Sequence, residues 1–138
     1  MTEKLKTVNI KGKPYVEVKE RILYLSENIK DYSIETEYDY YPERKLWVVK
    51  AKLTIFSNEK KNDGNYILTS RVYTGLAQET ESEDYKQVNH TSALENCETS
   101  AVGRACAMAG IGVLDSIASA DEINKAQNRQ AINAQSPA

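Results

Sequence analysis

Apolar positions recur along this chain in two periods. From Val18 to Ile29 they fall at Val18, Ile22, Leu25 and Ile29, the i, i+4, i+7, i+11 spacing of one helical face, with Lys19, Glu20, Glu27 and Asn28 on the other side. That spacing predicts a helix over about residues 17–28. Ahead of it, Thr7-Val8-Asn9-Ile10 and Tyr15-Val16-Glu17-Val18 flank Lys11-Gly12-Lys13-Pro14. Two short β-rich runs around a Gly/Pro turn predict a small hairpin. The period then changes to two. Ile34, Thr36, Tyr38 and Tyr40 share one face, with Glu35, Glu37 and Asp39 on the other, and Pro42-Glu43 ends the run. Trp47, Val49, Ala51, Leu53 and Ile55 form the next apolar face, with Lys50 and Lys52 opposite. Setting Tyr38 beside Val49 matches both apolar faces and brings Glu37 to Lys50 and Glu35 to Lys52.

A polar turn, Ser57 to Asn65, leads to a third strand from Tyr66 to about Ala77. Taking Tyr66, Leu68, Val72 and Leu76 as its core face puts Arg71 and Tyr73 on the face of Lys50 and Lys52. Residues 79–87 read as an acidic, mobile loop. Ser92-Ala93-Leu94-Glu95 has the form of a capping box opening a second helix. Leu94, Cys97, Ala101, Ala105 and Met108 are its expected buried stripe, and Gly110 and Gly112 its stop. This helix is rich in small residues. Gly103 costs about 1 kcal/mol against Ala in a helix, so close approach to a sheet or a neighbouring subunit is the expected reason for it. Ser119-Ala120-Asp121-Glu122 opens a short last helix, and the Gln/Asn/Ala-rich stretch after it is expected to be a flexible tail. The pattern is α+β: N-terminal β-hairpin, helix, three-stranded antiparallel meander, long helix packed on the sheet, short C-terminal helix. Residues 1–124 form one domain and residues 125–138 the tail.

Composition fits this reading. A chain of 138 residues with 41% hydrophobic content fills one core. No apolar run approaches the roughly 20 residues of a membrane span, and Met1-Thr2-Glu3-Lys4-Leu5-Lys6 lacks the apolar stretch of a secretory signal, so a cytoplasmic location without a membrane partner is expected. Cys97 and Cys106 are nine residues apart in one helix, on opposite faces and roughly 13 Å from each other, too far for a disulfide. They read as small packing residues. The net charge of −2 is segregated. Residues 1–30 carry seven Lys/Arg against four acids, and residues 42–62 six against two. Residues 31–41 hold four acids and no base, and residues 79–98 six acids and one base.

Catalytic chemistry is hard to assemble from these residues. The single histidine, His90, has no second His or nearby Cys pair with metal-site spacing. No Gly-Lys-Ser/Thr phosphate loop occurs. Gly110-Ile111-Gly112 follows a helix instead of joining a strand to one, so it is no dinucleotide loop. Glu35, Glu37 and Asp39 face lysines and read as charge pairs. No enzyme, cofactor or metal is therefore expected. A binder's inventory remains: nine tyrosines, one tryptophan and segregated cations. A Tyr beside Lys or Arg stacks on unpaired bases. Arg104 flanks the apolar stripe of the small-residue helix, where it is either an ion-pair partner or a phosphate ligand in a groove between helix and sheet.

The stretch Asn89-His90-Thr91-Ser92-Ala93-Leu94-Glu95-Asn96-Cys97-Glu98-Thr99-Ser100-Ala101-Val102-Gly103-Arg104-Ala105, followed by Ser116-Ile117-Ala118-Ser119-Ala120-Asp121-Glu122, resembles a signature of small phage-encoded proteins of single-strand DNA annealing and recombination. The layout over about residues 7–124 resembles the Rad-fifty-two superfamily, with its Erf and Red-beta types, and Lys13 to Ile22 is similar to the start of that family's first helix. The resemblance implies rings or filaments that hold single-stranded DNA in a basic groove, in a bacterial host's cytoplasm. It implies that Arg104 contacts the DNA backbone, and Lys11 and Lys13 from the first hairpin. Where relatives have consecutive basic residues, this chain has Gly103-Arg104, so strong binding is expected only from many subunits along one strand. The expected function is non-enzymatic single-strand DNA binding and annealing, with Arg104, Lys11, Lys13, Lys50, Lys52, Arg71 and Tyr73 as contacts. The expected partners are single-stranded DNA, further copies of the chain and a phage exonuclease or host replication protein. The alternatives are a single-strand-protecting protein without annealing activity and a protein–protein interaction module without DNA binding.

Overall fold

Tyr38 pairs with Val49 in the central sheet, and Glu37 with Lys50 and Glu35 with Lys52, the register in which apolar faces and charges both match. This pair sits in a computed structural model that describes residues 5–114 and 117–135, with side chains of the last helix as far as Gln127. The elements are β1 (Val8–Ile10), β2 (Lys13–Tyr15), α1 (Val18–Asn28), β3 (Tyr32–Tyr41), β4 (Leu46–Lys60), β5 (Tyr66–Thr80), α2 (Ala93–Met108) and α3 (Ala120–Gln135). β1 and β2 form the first hairpin, and β3, β4 and β5 a three-stranded antiparallel sheet in that order. The fold is α+β, with α2 packed on one face of the sheet and α1 packed on α2.

α2 is a middle layer, which accounts for its small residues. Cys97, Ala101, Ala105 and Cys106 are wholly or nearly buried with Val49, Ala51 and Leu53 of β4 and Leu25 of α1. A Cβ on Gly75 of β5 would lie 2.2 Å from the Ala101 carbonyl oxygen and 2.5 Å from the Ala105 nitrogen. On the opposite side, a Cβ on Gly103 would lie 2.6 Å from Cγ2 of Val18 in α1. The sheet approaches the helix at one glycine and the helix approaches α1 at another. Burial on two sides, not one stripe, leaves Met108 46% exposed while Ser100, Val102 and Ala107 are covered.

Three patterns turn out differently from the expectations above. On α1 the buried positions are Val18, Arg21 and Leu25, and Ile22 is exposed. The stripe is turned by one residue because Arg21 enters the interior. Its Nη1 donates to Gly103 O (3.1 Å), and its Nη2 to Gly112 O (3.2 Å) and Ile117 O (3.0 Å). Burial pulls the guanidinium pKa down from its ordinary value, and Nε has no partner.

β5 is inverted. Leu53 pairs with Tyr73, Ala51 with Gly75, Lys52 with Thr74 and Lys50 with Leu76. Tyr73 therefore packs against the core with Arg71 on the helix side, while Leu68, Val72 and Leu76 share the outer face with Lys50 and Lys52. Gly75 decides the orientation, since only a residue without Cβ fits under α2 there. The strand also runs to Thr80, so Glu79 is buried at its end instead of lying in an acidic loop.

The third difference concerns helix ends. Ser92 is the N-cap of α2 but its side chain makes no capping bond. The Ser119–Glu122 box does form, with Glu122 N–H donating to Ser119 Oγ (3.3 Å) and Ser119 N–H to Glu122 Oε1 (3.5 Å). α3 continues to Gln135 through the stretch expected to be a tail, and residues 136–138 lie outside the described residues. Its start is stitched to α1: Ala120 N–H donates to Val16 O (2.9 Å), and Asp121 Oδ1 accepts from Val18 N–H (2.8 Å). That last bond satisfies a first-turn donor of α1 whose own N-cap, Glu17, makes no side-chain bond.

Candidate nucleic-acid interface

Gly103 turns towards α1, and the next residue, Arg104, projects past the edge of the sheet into an open cleft of about 480 Å³ between β5, α2 and α3. Arg104 Nη1 lies 3.1 Å from Glu122 Oε2, and the two side chains are 34% and 20% exposed. Of the two roles open to Arg104 from the sequence, the ion pair is the one formed. Glu122 thus does two things: one carboxylate oxygen caps α3 and the other holds Arg104.

A second cation closes the other end of the cleft. Lys125 Nζ donates to Glu79 Oε1 (2.9 Å), Ser100 Oγ (2.7 Å) and the Asn96 carbonyl (3.0 Å). Asn89 Nδ2 donates to Glu79 Oε2 (2.8 Å), and Asn96 Nδ2 to Asn89 Oδ1 (2.8 Å). Within this polar network Glu79 is buried, Lys125 and Glu122 are each about one-fifth exposed, and Arg104 is the member most open to solvent. The cleft contains two cations and two anions, so its formal charge balances until one partner moves.

The other expected contacts fall into separate groups. Lys11, on the β1–β2 turn, and Lys13, at the start of β2, are exposed, and in the turn Lys11 (φ 50°) and Gly12 (φ 85°) both take the left-handed conformation. Lys50 and Lys52 are on the far side of the sheet from α2, and Lys52 lies 3.8 Å from Glu35. Arg71 is exposed on the helix side, four residues along β5 from Gly75, or roughly 13 Å. The Arg104 backbone lies beside Gly75, so Arg104 and Arg71 are on one side of β5. Tyr73, between them, is half-buried in the core.

The aromatic that stands free on the helix side is Tyr38, 63% exposed, with its ring centroid 5.6 Å from that of Trp47. Tyr40 packs on Trp47 at 4.2 Å and donates its hydroxyl to Glu81, a bond that raises its pKa. Alternation marks Tyr38 as a core residue, yet α2 does not reach it. Glu79, Glu122 and Lys125 were also missed. Glu122 was visible as a capping residue, but its second contact spans 18 positions and left no local trace.

Among the described residues no three His, Cys, Asp or Glu side chains lie together as metal ligands, and no helix is long and apolar enough to cross a membrane. His90 is exposed, with Nδ1 3.0 Å from Ser82 O. The chain matches no protein-family model, no curated protein and no solved structure.

Proposed function

We propose that this chain binds single-stranded DNA and anneals complementary strands without catalysis, acting as an oligomer in phage or mobile-element recombination. The observation that carries this reading is the state of Arg104. It stands one-third exposed at an open cleft, and its carboxylate partner occupies the place a phosphate would take. Arg71 on the same side of β5 supplies a second backbone contact, and Tyr38 a stacking surface in place of Tyr73. Lys11 and Lys13 extend the contact from the first hairpin. Lys50 and Lys52, on the opposite face, serve charge pairing within the sheet. The resemblance of residues 89–122 to annealing proteins supports the same reading, and a phage exonuclease or host replication protein is the partner class it suggests.

The test is pairing of complementary oligonucleotides at low and high salt, with wild type beside Arg104→Ala. Acceleration that fades with salt and with the substitution supports the reading. A protein that binds single strands without accelerating pairing is a protecting protein. The balanced charge of the cleft favours a second reading, a protein–protein interaction module. Absence of DNA binding at every salt concentration selects it.

A further inference from the structure

The two edges of the sheet are protected unequally. The β3 edge carries Glu35, Glu37 and Asp39, all exposed. Charges of this kind keep an open edge from pairing with another chain. β5 is a 15-residue edge strand whose stretch from Tyr66 to Gln78 holds one charge, Arg71. On its outer face Leu68, Val72 and Leu76 are 65%, 54% and 61% exposed. A long edge with an apolar outer face and a single charge is a template for another strand.

The main chain defines how that strand can bind. Glu81 N–H donates to Lys45 O, and Lys61 N–H to Asn65 O. The antiparallel ladder alternates, so odd-numbered residues of β5 turn their peptide groups to β4 and even-numbered ones turn theirs to the free edge. An added antiparallel strand must then pair even residues with even ones. We propose that the occupant is β5 of a second copy of this chain, related by a two-fold axis through Val72. In that register Val72 faces its own counterpart, and Leu68 of each copy faces Leu76 of the other. On the helix side Arg71 lies opposite Tyr73 of the second copy. Residues 59–63, Glu-Lys-Lys-Asn-Asp, balance two bases with two acids at the end where the second copy's β5 leaves the sheet, and Glu81 and Glu83 already hold Tyr40 and Lys45 of their own chain, so the apolar register and not charge selects this pairing. Moving the axis to Tyr73 keeps the hydrogen bonds but sets Leu76 against Ser70 and Leu68 against Gln78, losing both Leu–Leu contacts. The two three-stranded sheets thereby become one of six strands, with both α2 helices on the same face.

The interface is isologous and closes at two copies, so it supplies a dimeric unit of the oligomer in the function proposed above, on which it rests for that role, and it forms independently of nucleic acid. The test uses the full chain with no DNA. Hydrogen-bonded partners in an antiparallel pair have Cα atoms about 5.5 Å apart, within disulfide reach, and the native thiols of Cys97 and Cys106 are buried and do not compete. Val72→Cys is expected to form a covalent dimer under mild oxidation. Adding Leu76→Lys is expected to cut the yield about tenfold, with the far-UV circular dichroism unchanged. Glu37→Cys, on the β3 edge, is the reference. No covalent dimer from Val72→Cys, equal yield from Glu37→Cys, or a wild-type chain that sediments as a monomer up to submillimolar concentration overturns the two-fold interface. Cross-linking without annealing sinks the annealing reading alone, and annealing without cross-linking sinks this one alone.

Discussion

At the residue scale, two glycines make the three layers possible, for different reasons. The Gly103 Cβ would meet a side chain, Cγ2 of Val18, whereas the Gly75 Cβ would meet backbone atoms of α2. Overpacking costs typically 1–3 kcal/mol. Gly103→Ala is expected to lower the melting temperature, and adding Val18→Ala to restore much of the loss. Gly75→Ala is expected to cost more, with no side-chain substitution rescuing it; thermal melts of these three variants beside wild type check both. The thiols are the second residue-scale case. Burial pushes Cys106 up from 9.0 to about 11 and also raises Cys97. The unfolded thiol ionises from about pH 9 while the folded Cys106 keeps its proton, so stability is full below pH 9. It falls by about 1.4 kcal/mol per pH unit between there and about 11. Denaturant titrations across that range read the slope. At neutral pH a water-soluble thiol reagent should label neither cysteine until the chain unfolds.

At the element scale, α3 is held at the cleft by three polar pegs: Asp121 on Val18, Glu122 on Arg104 and Lys125 on Glu79. The middle peg is partly exposed, and such pairs contribute at most about 1 kcal/mol to stability. Glu122→Gln is therefore expected to leave the melting temperature nearly unchanged while freeing Arg104. Under the DNA reading, fluorescence anisotropy with a labelled oligonucleotide should show tighter binding for Glu122→Gln and weaker binding for Arg104→Ala. Much of this scale was legible in the sequence. The helix over Val18–Asn28 and the β3–β4 register followed from period and charge, because both neighbours lie close along the chain. The face of β5 was misread, since its alternation offers two apolar sets, Leu68/Val72/Leu76 and Tyr73/Gly75/Ala77. Hydrophobicity favours the first, but the close approach of α2 at Gly75 selects the second. The burial of Arg21 leaves no mark in the apolar pattern for a similar reason: a stripe is read from apolar residues, and its three carbonyl acceptors lie 82, 91 and 96 positions away.

At the scale of the whole molecule, under the DNA reading, the balanced cleft and net charge of −2 leave one subunit a weak binder, and affinity comes from several subunits on one strand. Each neutralised phosphate releases counterions, and the slope of log affinity against log salt counts those contacts, about 0.7 per phosphate on single strands. Titration at several salt concentrations should give a smaller slope for Arg104→Ala than for wild type, and an equal slope removes Arg104 from the contact set. The three acceptors of Arg21 have a consequence of a different kind, for the order of events during synthesis. α1 is made early, but the carbonyl of Ile117 that completes its burial is 96 residues later. At roughly 5–20 residues per second the ribosome takes about 5–20 s to supply it. For that time a helix with an apolar stripe and a cation meant for the interior waits with neither neighbour, so the chain closes its core from the far end, and whatever shields nascent chains in the cell has its longest task at α1.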